Sequence, residues 1–319
     1  MAVLRCPNLT TLTLARWTDL DLFDDLDAGS LPSLTALSLE GNEEEGTFHI
    51  VDAARLFAAA PNLEVLYADG CGGRDYSSPG PTRPGGREPY DLRLGNLRKL
   101  DIRALESSDL ARLLPACPQI QELKYDPPGH PDDSPKADVL RVLRPVRNTL
   151  RALHIRTDPW KHPAHPTQPV VLTPVQSFKN FPALRFLTVD HNAVDCPASP
   201  TGRSAGLVDW LPSSIESLAV RYVPLSDVPR FLDLLSALAL EAPKGLPNLR
   251  SVRIRIGDPH ESASKALPQF KPSLSRVQAE FKEVGITFYW ADQYGDRASD
   301  EPPDSVTNGF MGHDPVMDG

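Results

Sequence analysis

Paired cysteines are missing from this chain. Its four, Cys6, Cys71, Cys117 and Cys196, are scattered without a C-x-x-C spacing, so neither a disulfide-framed domain nor a cysteine zinc site is indicated. They read as buried thiols in a reducing compartment, cytoplasmic or nuclear. Long apolar runs are missing as well. No stretch approaches the ~18 apolar residues of a membrane-spanning helix, and the opening MAVLRCPNLT does not read as a signal peptide. An excess of positive charge is also lacking. The formal net charge is -9, so bulk affinity for nucleic acid is not expected. Asp292 to Gly319 carries seven acidic residues and one basic one, which leaves the body at about -3.

Catalytic signatures are equally sparse. His162 and His165, in HPAHP, lie three apart and near His154 in sequence. The prolines prevent a helix and no HExxH accompanies them, so a solvated loop is the better reading than a metal site. Asp190, His191 and Cys196 could suggest a Cys-His nucleophile, but nothing supplies an oxyanion hole or an activating neighbour. The glycines between Gly70 and Gly86 contain no GxxxxGK[ST] phosphate loop. The expectation is a non-enzymatic chain with no cofactor and no metal.

What the sequence does have is a recurring phrase. FPALRFLTV, with Leu184, Leu187 and Val189 as its apolar positions, places the last two on one side of a short strand. The same phrase starts at Leu9, Leu34, Leu63, Leu97, Ile120, Leu150, Ile215 and Leu249, at steps of 23 to 34 residues. A tenth, degenerate strand is ITFYW, Ile286 to Trp290. Nine in-register matches predict an α/β leucine-rich-repeat solenoid: a curved parallel sheet with helices and loops on its outer side. Each return is long enough for a crossover helix.

Helices are expected over 51–59, 108–116, 137–146, 226–240 and 273–284. Ser107 or Ser108 is the expected cap of the second, and Ser226 or Asp227 of the fourth. The fourth carries the clearest apolar stripe, Phe231, Leu232, Leu235, Leu238 and Ala239. In the last, the stripe is Leu274, Val277, Phe281 and Val284. Stretches 70–89, 127–135 and 158–169 are rich in Pro, Gly, Ser or His and read as loops. The domain reading is a solenoid over 1–291 and an acidic, disordered tail over 292–319.

In L-x-x-L-x-L-x the third, fifth and seventh places face the open side of the sheet. In the first three repeats they hold small or apolar residues such as Thr11, Ala36 and Val65. From the fourth repeat they hold Lys99, Asp101 and Arg103, then Glu122, Lys124 and Asp126, then His154, Arg156, Phe186, Thr188 and Asp190, and last Arg221, Arg253 and Arg255. Of these, Lys99, Arg103, Lys124, His154, Arg156, Phe186, Arg221, Arg253 and Arg255 are the candidate binding residues. Arg and aromatic residues are common binding anchors. This strip is the candidate partner-binding surface, suited to a protein partner with acidic segments. Neither a nucleic-acid nor a membrane partner is expected. The acidic residues from Asp292 to Asp304 could compete for the same strip.

The phrases CPNLTTLTL, APNLEVLYA, CPQIQELKY and FPALRFLTV, with the late LPSSIESLAV and LPNLRSVRI, resemble the leucine-rich-repeat region of fungal F-box-type proteins. That resemblance spans about Leu4 to Trp290. It implies repeats that hold a substrate while an F-box docks on the adaptor of a cullin-type ubiquitin ligase. It brings no catalytic residue. The chain opens inside a repeat, so the F-box is expected from an upstream segment or another subunit. The alternative from a different class is a stand-alone leucine-rich-repeat scaffold or regulator, for example of a small GTPase.

Overall fold

In this computed structural model the described residues are 8–15, 26–41, 50–70, 92–105, 107–127, 139–156, 177–191, 206–257 and 267–292. They form one sheet of ten strands in chain order, every neighbouring pair parallel. The strands are β1 (Thr11–Ala15), β2 (Ala36–Glu40), β3 (Val65–Asp69), β4 (Lys99–Arg103) and β5 (Glu122–Asp126). Then follow β6 (Ala152–Ile155), β7 (Phe186–Asp190), β8 (Ser217–Val223), β9 (Ser251–Ile256) and β10 (Thr287–Asp292). Each of β1 to β9 begins two residues after the first apolar residue of its phrase.

The register follows from the apolar spacing. Leu12, Leu37, Leu66, Leu100, Leu123, Leu153, Leu187, Leu218 and Val252 are successive cross-strand partners, and Phe288 extends the column into β10. All ten are buried. A one-residue slip between two strands would turn one strand's apolar set to the opposite face, so the pattern fixes the register strongly. A second interior column ends in Leu14 on β1 and Trp290 on β10, and both are only partly buried because each has a neighbour on one side alone.

Two further ladders tie the repeats together just before the strands. The Glu64 carbonyl accepts from the N–H groups of both Arg98 and Lys99, at 2.8 and 3.0 Å, and the pattern recurs at Arg98, Gln121, Arg151, Arg185 and Glu216. Asn62 and Asn96 each donate through Nδ2 to the carbonyl of Pro32 and Pro61 in the preceding repeat, both at 2.9 Å. Asn248 does the same to Ser213 at 3.1 Å. The Pro-Asn or Gly-Asn before these leucines thus satisfies a turn carbonyl that would otherwise compete for water.

The returns carry α1 (Ala54–Ala59), α2 (Ser107–Leu113), α3 (Val139–Leu143), α4 (Leu207–Trp210), α5 (Val228–Gly245) and α6 (Leu267–Glu283). Their buried residues join the strand leucines in a single core. Several expected boundaries move. The segments Leu114–Ala116 and Arg144–Val146 tighten into 3-10 turns around Pro115 and Pro145, since proline cannot donate within an α-helix. Ser107 and Ser108 lie inside α2 rather than capping it. Asp227 does occupy the N-cap of α5, but its side chain makes no capping bond; one carboxylate oxygen lies 3.9 Å from His191 Nε2.

Helices α5 and α6 run through Pro243 and Pro272, which the sequence reading placed beyond their bounds. The α5 stripe is buried as expected, and so are Leu274, Val277 and Phe281 of α6. Val284 is not part of the α6 stripe and is exposed. The helix stops at Glu283, and Gly285, at φ 76°, turns the chain into β10. The sequence reading missed α4. The tail 293–319, most of the three expected loops, Cys6, Cys71, Cys196, His162 and His165 lie outside the described residues.

Candidate functional site

Alternation along each strand sends every second side chain to the sheet face opposite the leucine columns. Three parallel columns result. The first carries Lys99, Glu122, Ala152, Phe186, Ser217 and Ser251. The middle one carries Asp101, Lys124, His154, Thr188, Ala219 and Arg253. At the strand ends lie Asp69, Arg103, Asp126, Asp190 and Arg221, with Arg156 just after β6, in alternating sign; Arg103 and Asp126 are register partners, as are Asp190 and Arg221.

Opposite charges on adjacent strands stabilise a sheet, and the two ends of this column use that arrangement, Arg103 with Asp69 and Arg221 with Asp190. Arg103 lies 3.6 Å from Asp69 and is the register partner of Asp126. Arg221 donates through Nε and Nη2 to Asp190 Oδ1, at 2.9 and 2.7 Å. Asp190 is 2% and Arg221 9% exposed. The sequence reading placed Asp126, Asp190 and Arg221 on solvent, but all three are buried. Charges this desolvated persist only when paired, and the alternation provides the pairs. Arg221 and Asp190 therefore cancel, and the strip is less basic than its arginine count suggests.

Lys99 is also committed, to Glu122 at 3.0 Å. Arg103 sits 5.3 Å from the Tyr67 ring centroid. The Tyr67 hydroxyl donates to Asp69 Oδ2 at 3.0 Å; burial first, and then the Asp69 charge, push its pKa up. Phe186 is half-buried on β7, beside Ala152 and Ser217.

A β-bulge in β8 brings in a residue that the sequence reading did not select. Val220 pairs with Ile254 and Val223 with Ile256, so Arg221 and Tyr222 together stand opposite Arg255 alone. Tyr222 has φ 58°, a left-handed conformation that costs an aromatic residue about 1–3 kcal/mol and is typically held at functional sites. The Arg221 and Arg255 guanidinium carbons lie 5.1 and 6.0 Å from its ring centroid. Next to them Arg253 lies 5.8 Å from the ring of Tyr289, which is 53% exposed. The signal in the sequence was Tyr222 itself, a polar-tipped aromatic where strict alternation after Val220 demands an interior aliphatic. A second group lies outside the third, fifth and seventh places of the phrase. Arg98, Arg151, Arg185 and Arg250 occupy the second place and form an exposed rim, with Arg185 3.4 Å from Glu216.

At the centre of the face, Lys124 and His154 are register partners on β5 and β6, and Arg156 follows on the same side. Desolvation, then the Lys124, Arg156 and Arg221 cations, hold the His154 pKa down at about 3, so this imidazole is neutral at pH 7.

Of the residues weighed as a Cys-His nucleophile, Asp190 and His191 have other contacts, and Cys196 lies outside the described residues. Asp190 faces Arg221, while His191 packs edge-on against Phe231, with ring centroids 5.5 Å apart. Cys117 is buried, its thiol pushed up to about 12 by desolvation, which leaves almost no thiolate for nucleophilic chemistry at pH 7. Among the described residues no three His, Cys, Asp or Glu side chains converge as a metal site. No described helix is long and apolar enough to cross a membrane. No family model and no curated protein matches the chain.

Proposed function

We propose that this chain is a curved leucine-rich-repeat solenoid whose open sheet face holds a protein partner, and that it acts as the substrate-recognition part of an F-box-type ubiquitin ligase receptor. The observation that carries the reading is the strand order. Nine phrases pair in parallel and in sequence, a pattern that repeat stacking produces. It leaves one broad face of charged and aromatic residues opposite the core. Tyr and Arg concentrate where binding energy concentrates, and Tyr222, Arg253, Arg255 and Tyr289 cluster at the C-terminal part of that face. The cationic groups favour a partner with acidic segments, recognised through charge-assisted bonds to guanidinium groups.

In this role the chain transforms nothing. It positions a bound protein, and an F-box joins it to the ligase adaptor. Affinity purification of the tagged chain, with the co-purifying proteins identified, tests this. Recovery of a cullin adaptor together with a reproducible partner is expected. A reproducible partner without any adaptor would move the reading to a stand-alone scaffold or regulator. Turnover of a small substrate by the purified chain would overturn the binding role.

A further inference from the structure

The centre of the open face holds three groups whose polar atoms are poorly matched among the described residues. His154 makes no side-chain hydrogen bond or ion pair among the described residues, although a neutral imidazole carries one donor and one acceptor. Arg156 likewise has no ion pair among them; only its backbone N–H is engaged, by the Tyr125 carbonyl at 2.9 Å. The ion-pair contact of Lys124 is a 3.9 Å approach to Asp101, which Arg103 shares at 4.0 Å.

The acids around this trio serve other cations. Glu122 on β5 takes Lys99, Asp126 on β5 stands opposite Arg103, and Asp190 on β7 takes Arg221 on β8. The groups that bear on His154 through charge are Lys124, Arg156 and Arg221, all positive. Arg221 is neutralised by Asp190, so the charge left beside the neutral imidazole is that of Arg156 and the loosely held Lys124, which an anion could meet together.

We propose that Lys124, His154 and Arg156 form a subsite that binds one carboxylate of an acidic segment in a protein partner. The inference rests on the reading of the open face as the binding face and names the chemistry at its centre. Strand register sets the geometry. Lys124 and His154 face each other across one strand spacing, about 4.8 Å, and Arg156 follows the end of β6, two residues on from His154, its N–H bonded to the Tyr125 carbonyl at 2.9 Å. A carboxylate over His154 can accept from both cations at once, in bonds stronger than neutral ones. Thr188, the β7 register partner of His154, borders the site on the other side. Phe186 stands next to it in the first column and offers an apolar contact for the residue beside the acid.

Binding should be linked to a proton. The free imidazole is neutral, and an adjacent carboxylate favours the charged form, raising the pKa by about 1–3. From about 3 the pKa rises to about 4–6 in the complex, so binding takes up a proton only as pH falls below about 6, where glutamate side chains are still largely ionised.

The test is ring-labelled histidine NMR on the full chain, with His154→Gln assigning the signal among the eight histidines. Hexaglutamate, acetate and inorganic phosphate are the probes, each at pH 7.5 and pH 5.5. The expected result is that hexaglutamate shifts the His154 ring signals at pH 5.5 and raises the ring's titration midpoint. The effect should be lost in Lys124→Ala with Arg156→Ala, a surface pair whose melting curve should match wild type. An unmoved His154, or a shift that survives the double variant, overturns the subsite. A shift with phosphate and none with hexaglutamate overturns the carboxylate assignment. If His154 stays unmoved while Arg253→Glu with Arg255→Glu, on the same face but outside the trio, still releases a co-purified partner, the subsite fails and the binding face stands.

Discussion

Asp190→Ala is expected to destabilise the chain by about 3–5 kcal/mol, the usual cost of removing one partner from a buried ion pair. Asp190 Oδ1 receives two bonds from the Arg221 guanidinium, and neither residue has more than slight access to water. Alanine leaves a buried cation beside Tyr222, whose strained backbone already draws on the stability of its surroundings. Arg221→Ala should cost a similar amount by stranding the carboxylate. The double replacement Asp190→Leu with Arg221→Met should cost much less than the two alanine changes added together, because no charge is left unpaired. Urea melts of the four proteins decide it. A loss under about 1 kcal/mol for both single variants, the range of exposed pairs, would show the pair to be solvated.

Leu187→Ala is expected to cost about 2–5 kcal/mol. Leu187 is 1% exposed and sits between Leu153 and Leu218 in the column that runs across the whole sheet. Truncation opens a cavity that two neighbouring strands line, and the parallel register leaves little room for collapse. Thr188→Ala, one residue on and facing the opposite side, should change stability by less than about 0.5 kcal/mol. A Leu187→Ala loss below that same figure would remove this position from the core.

How far the sequence could be read depends on what each feature rests on. The strands were legible because a two-residue alternation repeated nine times cannot arise from one accidental match, and Leu12 to Val252 align accordingly. Helix ends were less legible. Pro272 and Pro243 read locally as breakers, yet α6 and α5 run through them because their apolar faces remain packed against the core. On the face, the residue types were correctly placed on strands, but their energetic roles were not. Arg221 looked like a binding anchor until its cross-strand neighbour Asp190 was known, and that pairing depends on register between residues 31 apart. The bulge at Tyr222 was hidden because alternation assumes a regular strand. The rim arginines were legible in principle, since they recur at one place of the phrase.

The most direct measurement is the binding of a co-purified partner to two charge-reversal variants of the full chain. One carries Lys124→Glu and Arg156→Glu on the open face. The other carries Lys244→Glu and Lys282→Glu, exposed on α5 and α6. The predicted result is a loss of at least tenfold in affinity for the face variant, with wild-type affinity for the helix-side variant and matching melting curves for both. Unchanged affinity in the face variant, with loss in the helix-side variant, would contradict the assignment of the open face as the surface that binds.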